Sequence, residues 1–294
     1  MIIFSLKEDR RLITEIPNTS FFLSANPPAG LSDKNLCFLI HGLTGTAKEM
    51  SSIAGHLNKQ GFSVACPLMA NHDKSISSLK RTSWQTLYNS VRSEFIKYAN
   101  DYENIFVAGL SFGALIGIML AHEFPLKVKA LNCFSPTLFF DGWGNPKSRL
   151  FLPLVYKTPF KNWIYFKEEY PYGIKNQRLR TKIERFYKVA KLFDYSKVHL
   201  YGYPVIPVTC MHQNELLAKK VISILKEIKT PIQIMQAKDD DVTSPKNSYC
   251  IYNHVSSKEK EIVFLENSYH IITADQERDK VAKITSEFFK KYAG

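Results

Sequence analysis

Short apolar runs closed by turn residues recur along the chain. They lie at 36–40 (L-C-F-L-I, ending at H-G), 62–66 (F-S-V-A-C, ending at Pro67) and 105–108 (ending at Gly109). Three more follow at 128–134 (ending at S-P), 232–236 (ending at an acidic cluster) and 262–265 (ending before E-N-S-Y-H). Each is too short for a helix and lacks clean alternation, as expected of strands covered on both faces. Longer stretches of helical period lie between them, at 48–60, 84–100, 216–228 and 281–292. The second carries Leu87, Val91, Phe95 and Tyr98 on one stripe, and Gly61 is placed to stop the first. Strands alternating with helices predict a mostly parallel sheet flanked by helices, an α/β fold.

The run 105–121, I-F-V-A-G-L-S-F-G-A-L-I-G-I-M-L-A, has Ser111 as its sole hydroxyl and no charge. A membrane-spanning helix needs about 20 apolar residues. This run is 17 long, follows N-D-Y-E-N, precedes H-E-F-P and has no flanking basic cluster. A buried strand that turns sharply into a helix accounts better for Gly109 and Gly113.

Composition adds little until it is divided by segment. The 294 residues allow one α/β domain with a sizeable insertion, or two small domains. Apolar content of 45% and charged content of 22% are ordinary for a globular protein, and no repeat or low-complexity tract stands out. Residues 1–12 lack the basic leader, apolar run and cleavage site of a secretory signal. Cys37, Cys66, Cys133, Cys210 and Cys250 form no C-x-x-C and read as free thiols suited to a reducing, cytoplasmic setting. No Cys/His spacing suggests a metal site. Net charge is +12, yet residues 146–197 carry 13 Lys and Arg against 4 Asp and Glu. Of the 38 aromatic residues, 18 fall between Phe134 and Tyr203. One segment is therefore basic and aromatic.

Four motifs carry chemistry. G-L-S-F-G at 109–113 fits a G-x-S-x-G turn between strand and helix, which lifts Ser111 above the sheet and aims helix amides at it. A serine hydroxyl needs a base and a preorganised anion site to act as a nucleophile. L-I-H-G-L-T-G at 39–45 would offer the Leu43 amide, which with that of Phe112 makes a two-donor oxyanion hole. After the strand P-I-Q-I, Asp239, Asp240 and Asp241 compete as the acid that would orient a base. His270, in the loop after the last strand, is the base candidate. His56, His122, His199, His212 and His254 read as surface or satisfied residues, His41 as structural in its turn, and His72 is left open. The order Ser, Asp, His along the chain matches the α/β-hydrolase order.

With H-G-L-T-G, G-L-S-F-G, Q-A-K-D-D-D-V-T-S-P and N-S-Y-H-I-I-T-A-D-Q-E-R-D in that order, the chain resembles the α/β-hydrolase superfamily. Within it, the resemblance is to the bacterial carboxylesterase and monoacylglycerol-lipase-like, serine aminopeptidase-type branch. It covers roughly 36–136 and 230–293. It implies a hydrolase core at 1–135 and 215–294, an inserted, largely helical cap at 136–214, and Asp240 as the catalytic acid, since that acid follows Q-A-x-x in the branch. Two departures touch the pocket: Tyr269 stands where relatives often have glycine, and A-N-H-D at 70–73 replaces a G-H-G-like turn.

The resemblance implies a serine hydrolase of carboxylic esters with an apolar acyl group, acting through Ser111, His270 and Asp240 without a cofactor. A thioesterase is the nearest alternative, and a non-catalytic binding protein the alternative from another class. Insertion aromatics such as Phe139, Phe140, Trp143, Trp163, Tyr165 and Phe166 either line an acyl pocket or form the insertion's own core; Tyr269 belongs to the same expected pocket. The basic run 175–191 reads as a helix with Leu179, Ile183, Phe186 and Ala190 on one stripe. It is either a solvated face or a transient contact with an anionic membrane surface or an acidic acyl carrier protein. That makes the expected location cytoplasmic, with a peripheral membrane association as the variant. The expected partner is a small-molecule acyl ester, and nucleic acid is not expected.

Overall fold

The computed structural model describes residues 20–26, 32–193 and 202–293; the N-terminal stretch, His199 and the side chain of Ala190 lie outside the described residues. Seven strands form the main sheet: β1 (Phe21–Leu23), β2 (Asn35–Ile40), β3 (Ser63–Cys66), β4 (Asn104–Leu110), β5 (Val128–Phe134), β8 (Ile232–Ala237) and β9 (Lys260–Leu265). They are ordered β1-β3-β2-β4-β5-β8-β9, and every pairing is parallel except β1 against β3. Strands β6 (Tyr165–Lys167) and β7 (Val205–Pro207) make a separate antiparallel ribbon.

The strand period of two sorts side chains into two cores. In β2, Leu36, Phe38 and Ile40 join one layer, while Cys37 and Leu39 join the other. The first layer takes the helix Trp84–Asp101 through Leu87, Val91 and Phe95, the helix Phe112–Glu123 and the helix Val208–Ile224. The second takes the helix Ser51–Lys59 through Ile53 and Leu57, and the helix Arg278–Lys290 through Val281, Phe288 and Phe289. Burying one such Leu or Phe stabilises the fold by roughly 1.5–3 kcal/mol.

The 105–121 run divides between β4 and the helix Phe112–Glu123, whose residues Phe112–Ala121 are all buried. A helix packed all round needs no polar face, hence its uniform apolarity. Among the described residues, no helix is long and apolar enough to cross a membrane. Cys37, Cys66, Cys133 and Cys210 are buried, and all five cysteines are free.

Between β5 and the helix Val208–Ile224 the chain forms 3-10 turns at Lys147–Phe151 and Pro159–Asn162, a short helix Leu152–Val155, β6, the helix Gln177–Phe193 and β7. The β6–β7 ribbon makes this insertion less uniformly helical than expected. Its boundary also differs: the helix that follows it starts at Val208, not near 216, so the expected limit at 214/215 falls inside that helix. The added turns, rich in polar residues, are stabilised by packing, with Val208 and Met211 meeting Leu152 and Tyr156 of the insertion. Ile174, Ile183, Phe186 and Tyr187 make a second small cluster.

Candidate active site

Ser111 sits between β4 and the helix Phe112–Glu123 at φ 57° and ψ −114°, a backbone that ordinary side chains avoid. The turn is so tight that a Cβ on Gly109 would fall 2.1 Å from the Gly113 carbonyl oxygen, and one on Gly113 would fall 2.4 Å from that of Ile40. Glycine at both positions is thus required by backbone contact. The result exposes the Ser111 hydroxyl at the end of the sheet, above the N-terminus of a helix.

Three loops meet there. Ser111 Oγ lies 3.0 Å from His270 Nε2. His270 Nδ1 lies 3.0 Å from both carboxylate oxygens of Asp240. With Nδ1–H donating to Asp240, Nε2 is free to accept the Ser111 proton. Asp240 is itself fixed: Oδ1 accepts from the Val242 and Thr243 amides at 2.9 and 2.8 Å, and Oδ2 accepts from Gln236 Nε2 at 2.7 Å. Burial disfavours the charged His270 ring, but the charge and hydrogen bond of Asp240, aided by Asp241 and Glu49, raise its pKa above the ordinary histidine value.

The three candidate aspartates separate by environment. Asp239 is exposed and pairs loosely with Lys175 at 3.5 Å. Asp241 accepts from the His270 and Gly173 amides, at 3.3 and 3.1 Å, so it braces the histidine loop rather than the ring. Its own carboxyl is pushed up, chiefly by burial. Asp240 alone of the three reaches the imidazole.

The candidate anion site depends on peptide orientation. Gly42 C=O accepts from His41 Nδ1 at 2.8 Å and from the Gly45 amide at 3.3 Å. In a trans peptide the next N–H points the opposite way, which turns the Leu43 amide from those donors. Among the described residues, neither the Leu43 nor the Phe112 amide has an acceptor. His41 Nε2 accepts from the Met69 amide at 3.1 Å, and His72 Nε2 donates to the Leu43 carbonyl at 2.5 Å. Both rings are kept neutral by burial, so each can serve as a fixed prop. His72, left open by the sequence, belongs to this scaffold; it lies in the A-N-H-D departure.

A cavity of about 440 Å³ opens beside Ser111, between the sheet end and the insertion. Phe140, Phe166, Ile206 and Met211 contribute to its apolar wall. Tyr165 also lines it, whereas Phe139, Trp143, Trp163 and Tyr269 lie elsewhere, which corrects that part of the sequence reading. Phe139 packs against the core and under Lys246. Trp143 is mostly exposed, donates to the Asp239 carbonyl at 3.2 Å and meets Tyr269 edge-on. Tyr269 is covered by Lys175. The chain path around 139–143 turns Phe140 to the cavity, Phe139 to the core and Trp143 to the surface, which composition could not reveal.

Three groups near Ser111 escaped the sequence reading. Thr137 Oγ1 lies 2.7 Å from Ser111 Oγ, and with Ser111 donating to His270 the threonine donates to the serine. Its carbonyl accepts from Asn214 Nδ2 at 2.9 Å. Glu49 and Glu168 both line the cavity; burial pushes Glu168 up to about 8, and its oxygen accepts from Tyr187 at 3.2 Å. The sole sequence signal was position: Thr137 follows the strand end S-P, and Glu49 follows the H-G-L-T-G turn.

A parallel sheet, a strained serine turn after β4 and a histidine loop after the last strand define an α/β-hydrolase. A model of the family described as Serine aminopeptidase, S33, matches residues 32–277, and the chain belongs to that family. It is similar to a thermostable monoacylglycerol lipase of Bacillus sp. (strain H-257), 25% identical over 277 residues, 93% of this chain and 95% of the relative. It is 23% identical over 255 residues to a carboxylesterase of Bacillus subtilis (strain 168), covering 86% and 91%. A solved structure of the metagenome-derived lipolytic enzymes LipS and LipT shares the fold with a TM-score of 0.75 at 20% identity, covering 94% of this chain and 98% of that one.

Proposed function

We propose that the protein hydrolyses carboxylic esters with an apolar acyl group through a Ser-His-Asp triad. The observation that carries this is the unbroken chain Ser111 Oγ, His270 Nε2, His270 Nδ1, Asp240 at one end of an apolar-walled cavity. Esterase and monoacylglycerol lipase relatives over nearly the full length support it. His270 takes the Ser111 proton as the oxygen attacks the acyl carbon. The Leu43 and Phe112 amides stabilise the tetrahedral oxyanion, and losing one such donor costs roughly 3 kcal/mol. His270 then protonates the leaving alcohol, and water, deprotonated by the same ring, releases the acid from the acyl-serine. The segment between β5 and the helix Val208–Ile224 acts as the cap over the acyl chain.

A chain-length series of nitrophenyl esters, run beside matched acyl thioesters, tests the substrate class. Turnover is expected on the esters, rising with acyl length until the cavity is filled. Faster turnover of the thioesters across the series would instead make the protein a thioesterase.

The basic segment has a partner role in this reading, but through a different face from the helix at 175–191. Leu150, Phe151, Leu154, Phe160 and Trp163 are 63–74% exposed, with Lys147, Lys157 and Lys167 exposed among them. Exposed apolar side chains interspersed along the chain with exposed lysines suit an anionic lipid surface. Cosedimentation is expected with phosphatidylglycerol vesicles, less so with phosphatidylcholine, and it should weaken in Phe151→Ser/Trp163→Ser. Equal recovery in the supernatant for both lipids would contradict this, and capture by acidic acyl carrier protein alone would reassign the face.

A further inference from the structure

The turn that carries Leu43 is wrapped around a carboxylate. Glu49 Oε2 accepts from the Gly42 amide at 3.0 Å. A Cβ on Gly45 would fall 2.1 Å from Glu49 Oε1, and one on Gly42 3.3 Å from Oε2. That same Gly42 position is 3.9 Å from Ser111 Cβ, so the glycine the carboxylate holds packs against the nucleophile turn. Glu49 belongs to the 3-10 turn Ala47–Met50, which Thr46 caps and which buries Ala47 and Met50, so its side chain starts from a fixed base.

A half-buried acid in this place needs a reason, because desolvation is costly. Burial pushes the Glu49 carboxyl up to about 7, against the Gly42 hydrogen bond and His270, which both favour the ion. The titratable groups facing it are His270 on the loop after β9, Glu168 and Tyr187 of the insertion, and Cys66 at the end of β3. Of these, His270 is the one that gains positive charge in the reaction. An ionised Glu49 favours that imidazolium through space. Its hydrogen bond to Gly42 meanwhile holds the turn that sets the Leu43 amide.

We propose that Glu49 is a positioning residue for the reaction: its carboxylate anchors the oxyanion turn through Gly42 and favours protonated His270 by its charge. The inference rests on the reading of Ser111, His270 and Leu43 given under the proposed function.

Two variants separate the parts. Glu49→Gln keeps an acceptor for Gly42 and loses the charge. Its kcat is expected to fall about 3- to 10-fold with KM near wild type. The acid limb of kcat/KM should move to lower pH. His270 must be neutral to act as base, and it loses a neighbour that raises its pKa. Glu49→Ala loses the acceptor as well, and its kcat should fall about 100-fold with the same limb shift. A merely structural role would change the melting temperature but leave the limb in place; should the alanine variant fail to fold, the glutamine variant decides. If wild type hydrolyses esters while Glu49→Gln keeps its acid limb, the inference is overturned and the site reading stands. If wild type hydrolyses no ester, the site reading falls and this inference with it.

Discussion

Ser111→Ala is expected to lower ester turnover by at least about 10³-fold, almost entirely in kcat, with the melting temperature close to wild type. The hydroxyl donates to His270 Nε2 and receives Thr137, but no backbone group depends on it. Alanine keeps the Cβ that the turn already accommodates at φ 57°. Binding of the ester, set by the cavity wall, should persist, so KM is the smaller change. Steady-state kinetics with a nitrophenyl ester and a melting curve decide it. Turnover within tenfold of wild type would show that another group attacks the ester.

The second large effect belongs to Asp240→Asn, for which kcat should fall by about 10⁴-fold. The carboxylate accepts from two backbone amides, Gln236, Thr243 Oγ1 and His270 Nδ1. An amide in its place has one oxygen, and the Val242 and Thr243 amides hold it at the Oδ1 position. The NH₂ then faces the ring and forces Nδ1 to accept. The proton moves to Nε2, and Ser111 loses its acceptor. The neighbours provide internal controls. Asp239→Asn, on an exposed ion pair, should stay within about twofold. Asp241→Asn weakens the brace to the His270 amide and should cost about tenfold or less. A reversed order, with Asp241→Asn far worse than Asp240→Asn, would reassign the acid.

How far the chain could be read depended on where its information lies. The central strands were legible because burial on both faces demands continuous apolar runs, and β2, β4, β5 and β8 meet that demand. β1 was not, since three edge residues give no period. The helix Lys246–His254 was missed because it buries just Asn247, Ser248 and Ile251, with a single apolar side chain among them. Ser111 and His270 were legible because a nucleophile turn and a post-strand loop impose local sequence rules. The choice of Asp240 over Asp239 and Asp241 came only from the family resemblance, because all three side chains follow one strand and their separation depends on the bend of the loop. Thr137 and Glu49 carry no motif. Thr137 reaches Ser111 through the return of β5, and Glu49 reaches Gly42 through the curl of the 39–45 turn, contacts that exist only after the sheet has formed.

Labelling with a fluorophosphonate, followed by mass mapping of the peptides, tests the central claim most directly. One adduct is expected, on Ser111, absent from Ser111→Ala and formed far more slowly in His270→Ala. An adduct on another residue, or an unlabelled Ser111 in protein that still hydrolyses esters, would contradict the account.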